Sequence, residues 1–337
     1  GSAALEHRAI AAASAGRWAE AAAAYRDLIG HEVPRIDWIR ALSRSSARAG
    51  DSETAFCARA ALVGLGAADA AEKAAHDQVM SGPPLAELPP LPDGPALLGE
   101  GDAGAARELL TAAAAELARA LPTVLAGRGG RVKADNPVRR VCAAIGRALG
   151  LAQEPALYLA KGEPGVVLPV AADAPGLLVG AEVPRRFPPR QQRFLYARAL
   201  AHLRRGTHML ADLPPQRLEQ IAAELARACA PADAEGKALP PRDEALGRAL
   251  SAALTPEARQ QLGPIAAAAL RAGLPGGEAL ALGIRETAER TALAICGDPA
   301  AGLWLVAQEC PGGLGRPELA RLLRFALSEA FPSLRAR

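Results

Sequence analysis

The sequence predicts a mainly α fold, with helical hairpins at the N-terminus and then an α+β domain with a small sheet and many helices. Three observations carry this. Half of the 337 residues are hydrophobic but only 3% are aromatic, so the cores must come from closely packed alanine, leucine and valine. Apolar residues recur at helical spacing over most of the chain. Short, partly β-branched runs occur only between residues 156 and 183. The composition also excludes function classes. The formal charge is +3, and the cations, mostly arginine, are scattered among acids. No dense basic stripe marks a nucleic-acid binder, so no nucleic-acid partner is expected. With no signal peptide and no apolar run long enough to span a bilayer, no membrane insertion and a cytoplasmic location are expected. Cys57, Cys142, Cys229, Cys296 and Cys310 lie far apart without CxxC or CxH pairing. Buried free thiols in a reducing compartment are the expectation. The Gly1-Ser2 start, lacking methionine, is expected of a piece of a longer protein.

The first element pair repeats. AGRWAEA (15–21) and AGDSETA (49–55) place Gly16 and Gly50 thirty-four residues apart, a period that suits a helical hairpin. Each glycine is expected to end one helix. Ala21 and Ala55 then fall where the second helix approaches its neighbour closely, Tyr25 and Leu28 continue the apolar face, and Pro34 lies near the repeat's end. Over residues 3–80 this resembles tetratricopeptide repeats, in two units and a trailing helix around 67–80, with Gly16, Ala21, Tyr25, Gly50 and Ala55 as the signature. The resemblance implies a concave groove that holds a peptide or helix of a protein partner. Two repeats are few, so more are expected upstream.

Residues 81–102, dense in proline and glycine, read as a linker without regular structure. A second domain, 103–337, follows. Residues 103–121 and 137–149 are helical in pattern, and GRGGRVK (127–133) reads as a flexible basic loop or, less economically, a phosphate-binding one. ALYLA (156–160), GVVLPVAA (165–172) and PGLLVGAEV (175–183) are the strands. FPPRQQ starts a helix with its prolines in the first turn. Helices are then expected over 214–230, 242–254, 255–270, 277–295, 299–307 and 316–331, with CPGGLGRPE (310–318) as a turn. No GxSxG elbow, Walker loop or GxGxxG follows any strand.

The stretch RFLYARALAHLRRGTHML (193–210) holds two of the five histidines. A zinc peptidase of the HExxH type needs two histidines four apart on one helix face, a glutamate base between them and a third ligand from a later helix. LGLAQEPALYLA, VVLPVAADAPGLLVGAEV and RFLYARALAHLRRGTH, with ETAERTALAICGDPAAGLWLV (286–306), are together similar to gluzincin metallopeptidases of the HtpX type, over about residues 137–310. The resemblance implies a zincin-like domain and places His202 on the second histidine ligand. It places Arg198 on the first ligand, Ala199 on the catalytic glutamate, and Ala288-Glu289-Arg290 on the later A-D-R motif. The third-ligand glutamate then falls on Arg285, with Glu286 one place away.

Arginine stays protonated and offers no lone pair to zinc, so no catalytic residue, metal or cofactor is expected and the domain reads as a pseudoenzyme. His202 is either a core or boundary residue or a remnant ligand. His208, six residues on, faces nearly the opposite side of a regular helix and belongs after the Gly206 break. Arg198 and Arg285 either form internal salt bridges, with Glu286 or Glu289, or line an anion pocket. The joint expectation is a protein-binding scaffold or adaptor using the repeat groove or the relic cleft. Two alternatives stay open. One is an anion or small-ligand sensor built on Arg198 and Arg285. The other is a metal-dependent peptidase with displaced ligands, such as His202, His208 and Glu286.

Overall fold

Alanine- and leucine-rich runs with helical periodicity become helices, and the β-rich run becomes the one sheet. The computed structural model describes residues 2–82, 87–121, 129–133, 135–160, 167–170, 176–230 and 239–335. Among these lie seventeen α-helices and a four-stranded mixed sheet, the mainly α architecture that the composition predicts. The chain divides into two compact units. One comprises residues 1–92, 187–194 and 289–337; the other comprises 93–186 and 195–288.

The first unit begins with five helices, α1 (Ser2–Ser14), α2 (Trp18–His31), α3 (Ile36–Ala49), α4 (Ser52–Gly64) and α5 (Ala70–Val79), each packed on the next. Gly16 and Gly50 follow α1 and α3 with φ of +72° and +83°, the left-handed turn that a residue without Cβ adopts most readily. Ala21 and Ala55 are buried at the helix contacts, as are Tyr25 and Leu28. Two caps fix the later starts. The Asp51 carboxylate accepts from Thr54 N–H at 3.0 Å. Asp69 and Glu72 form a reciprocal capping box, which satisfies two of the four orphan N–H groups of α5.

The same unit contains the chain's last helices. Helix Pro299–Glu309 lies along α4 so closely that a Cβ on Gly64 would sit 2.7 Å from the Ala300 carbonyl oxygen. The stretch expected as one helix over 316–331 is two, Pro317–Ala326 and Phe331–Leu334. They fold back so that the Phe325 and Phe331 rings meet edge-on at 5.5 Å. The sequence reading grouped residues 289–337 with 103–288; by packing they fall with the N-terminal helices.

In the second unit the sheet has the order β1-β2-β4-β3, with β1 Gly130–Arg131, β2 Ala156–Ala160, β3 Val167–Val170 and β4 Gly176–Gly180. β2 and β4 run parallel, while β1 and β3 are antiparallel to their neighbours. β4, buried at all five positions, reads as an unbroken apolar run because both its faces are covered. GRGGRVK is therefore not wholly a loop: Gly130 and Arg131 pair with Leu159 and Tyr158, while Gly127 and Arg128 lie outside the described residues, as do 165–166, 171–172 and 175 of the predicted strands. Residues 103–121 form two helices, Ala105–Ala112 and Ala114–Ala120. Their leucines join those of Pro215–Cys229, Glu244–Ala253 and Pro256–Ala272 in one hydrophobic core.

The predicted linker is corrected at its C-terminal end. Residues 83–86 lie outside the described residues, but Pro95–Leu97 is a 3-10 turn and Gly99–Asp102 packs tightly on helix Gly277–Cys296. A Cβ on Gly101 would fall 2.0 Å from Ala279 O, and one on Gly283 would fall 2.3 Å from the Gly101 carbonyl carbon. The glycines here serve backbone-to-backbone approach, whereas their density had suggested an unpacked linker.

Candidate functional site

Helix Pro189–Arg205 carries Arg198 and His202. It ends at Gly206, where Thr207 N–H donates back to His202 C=O at 2.9 Å. The His202 ring is 7% exposed, and its Nδ1 bonds Thr207 Oγ1 at 3.0 Å. Burial, reinforced by the positive charge of Arg198 and by His208, pulls the imidazole down to about 3. His202 is thus a neutral core histidine. His208 lies beyond the break; burial lowers it too, and among the described residues neither ring nitrogen has a hydrogen-bond partner. Ala199, one turn before Leu203 on the same helix, is buried.

The later helix supplies Arg285 and Glu286. The Glu286 carboxylate, 3% exposed, accepts from Glu100 N–H at 3.2 Å. Beside it Thr287 Oγ1 accepts from Gly99 N–H at 2.8 Å. Asp102 closes this strap. Burial lifts its carboxyl above the usual range against the opposing pull of Thr287, Arg107 and Arg205, and Arg107 Nε lies 3.3 Å away. Both Glu286 and His202 are engaged by neighbouring groups of the chain itself. Glu286 satisfies the backbone of the chain's own 99–102 segment, and His202 caps a helix-end turn.

Among the described residues no three or more His, Cys, Asp or Glu side chains gather so as to hold a metal ion, so His202, His208 and Glu286 do not form the displaced ligand set. Arg198 and Arg285 are partly buried and, like Glu286 and Glu289, are engaged by other groups. Glu289, buried, falls in the first unit. All five cysteines are buried thiols outside any disulfide. Burial pushes Cys142 and Cys296 up to about 12 and Cys229 to about 11, which removes the thiolate a nucleophile needs.

Two concave sites in the first unit were not read from the sequence as sites. One, about 570 Å³, is walled by Trp18, Tyr25, Arg40, Arg44 and Arg48. The three arginines stand at i, i+4 and i+8 of α3, one above another on a single face. Arg40 pairs with Glu72 at 3.0 Å and Arg48 stacks over the Trp18 ring at 4.5 Å. Among the described residues neither Arg44 nor Arg48 pairs with an acid. The four-residue spacing was the available signal.

The other site surrounds a buried histidine. His76 on α5 bonds Asp298 through Nε2 and Asp77 through Nδ1, both at 3.1 Å. Asp298 also caps its helix, accepting from Ala300 N–H at 3.0 Å. Burial works against protonation of His76, but the bonds and charges of Asp298 and Asp77 outweigh it and hold the ring above its usual value. The Asp-Pro pair at 298–299 marks a helix start in the sequence; nothing local joins it to a histidine 222 residues earlier.

No protein-family model, curated protein or solved structure matches the chain. Among the described residues no helix is long and apolar enough to cross a membrane.

Proposed function

We propose that the protein is a non-catalytic protein-binding scaffold. In this reading the N-terminal helices are tetratricopeptide-like, and the later part is a metallopeptidase-like domain that has lost metal and base. The observation that carries it is the arginine-lined groove on α3. A concave face with two cations lacking acidic partners, beside Trp18 and Tyr25, suits an acidic peptide segment of a partner. The pseudoenzyme half is supported by the arginine at position 198, the alanine at 199 and the commitment of Glu286 to Glu100 N–H.

The test is binding of fluorescent acidic peptides to the full chain and to the Arg44→Glu/Arg48→Glu variant. Saturable binding that weakens about tenfold or more on charge reversal is expected; equal binding by both proteins would remove the groove from the proposal. A second reading, an anion or small-ligand sensor using Arg198 and Arg285, draws on the positive charge that Arg198 brings close to His202. It predicts that Arg198→Glu abolishes stabilisation by phosphate or a small carboxylate. Zinc loading followed by dialysis and metal counting should leave close to no zinc on the chain; about one zinc per chain would favour the peptidase reading instead.

A further inference from the structure

The cavity beside His76, about 760 Å³, lies within the roughly 300–1,000 Å³ typical of small-ligand sites. It is lined by residues of the first unit alone and shares none with the arginine groove. One side is apolar, built from Val63, Met80, Pro188, Pro189 and Trp304. Trp304 is 37% exposed, a large amphipathic ring left at the mouth of a cavity rather than in a core. Met80 adds a side chain able to follow the shape of an occupant.

The polar side has a definite charge pattern. Its two acids, Asp77 and Asp298, are both turned onto His76. Its two cations, Lys73 and Arg190, form no ion pair with an acid among the described residues; Arg190 donates only to Gly82 C=O, at 3.0 Å. Ser81 and Gln191 also line the cavity. Ser81 Oγ spends its proton on Gln78 C=O and keeps lone pairs free to accept. His76 cannot serve as a general base, because both its nitrogens are occupied and a base needs one free to reach substrate. The two acids are engaged with His76, while the two cations have no acid partner among the described residues.

We infer that this cavity captures the free C-terminus of a polypeptide with an apolar last residue. The carboxylate lies between Lys73 and Arg190, the last side chain lies against Trp304 and the proline pair, and the amides of the preceding residue meet Ser81 and Gln191. Carboxylate capture by two cations gives charge-assisted bonds in a partly desolvated site. The amides distinguish a peptide from a simple fatty acid of the same polarity. The inference stands whether or not the arginine groove binds an acidic segment.

The test is calorimetric titration of the full chain with an N-acetylated tripeptide ending in leucine, as the free acid and as the C-terminal amide, and with octanoate. The free acid is expected to bind saturably, and the amide about tenfold or more weakly, having lost the charge on the two cations. Lys73→Gln, an exposed substitution, should reproduce part of that loss, and Trp304→Ala should weaken acid and amide alike. Absence of saturable binding by the free acid, equal binding of acid and amide, or indifference to both substitutions would overturn the assignment. Octanoate binding as tightly as the tripeptide would overturn the peptide identity, since Ser81 and Gln191 would then contribute nothing.

Discussion

His76 in the first unit and His202 in the second are 6% and 7% exposed, yet their proton affinities are shifted in opposite directions. His76 sits between two carboxylates and gains affinity for a proton. His202 has a hydroxyl for a partner and an arginine and a second histidine for neighbours, and loses nearly all of that affinity. Burial penalises the charged ring in both places. What differs is whether the chain brings a carboxylate to it. A buried histidine therefore has no fixed meaning in a sequence, and the deciding residue can be as distant as Asp298 is from position 76.

The largest effect should come from breaking the carboxylate side of this comparison. Asp298→Ala removes the partner of His76 Nε2 and the cap on Ala300 N–H together, and about 3 kcal/mol of stability should go with them in urea denaturation. In the same variant the His76 resonance should titrate lower than in the parent, because burial then meets only Asp77.

The next effect is on pH dependence, with opposite signs in the two units. His76, raised in the folded state, contributes stability that is complete below the unfolded histidine value of about 6.5 and is lost as pH rises through its folded value. His202, depressed to about 3, favours the fold above about 6.5 and penalises it progressively as pH falls toward 3. Hydrogen exchange, corrected for intrinsic rates, should show the 70–79 segment better protected at pH 5 than at pH 8.5 and the 195–205 segment less so. A change of the same sign in both would break the comparison. The smallest effect isolates the neighbour's charge. Arg198→Leu should raise the His202 titration, but not to its ordinary value, because burial is the larger cause.

How much of this was legible depended on range. The helix ends at Gly16 and Gly50, the strand Ala156–Ala160 and the start of the Pro299 helix are local signals, readable because turn and cap chemistry acts over a few residues. The break after Ala326 was missed because 327–330 keeps helical composition, and only the packing of Phe331 on Phe325 requires the chain to turn. The roles of Glu286 and His76 were illegible for the same reason. Each is fixed by a partner nearly two hundred or more residues away, Glu100 or Asp298, and a carboxylate looks alike in sequence whether it meets a metal, a cation or a backbone amide.

The seating of helix Pro299–Glu309 against Gly64 also has a consequence in time. Synthesis runs from the N-terminus, so α4 is complete long before its covering helix has been translated, and the face around Gly64 waits bare through more than two hundred further residues. Closing so long a loop makes this contact a late and entropically expensive event. The nascent chain is thus most exposed to wrong partners while its second unit is being made, and the final fifty or so residues act as the stopper that ends that interval.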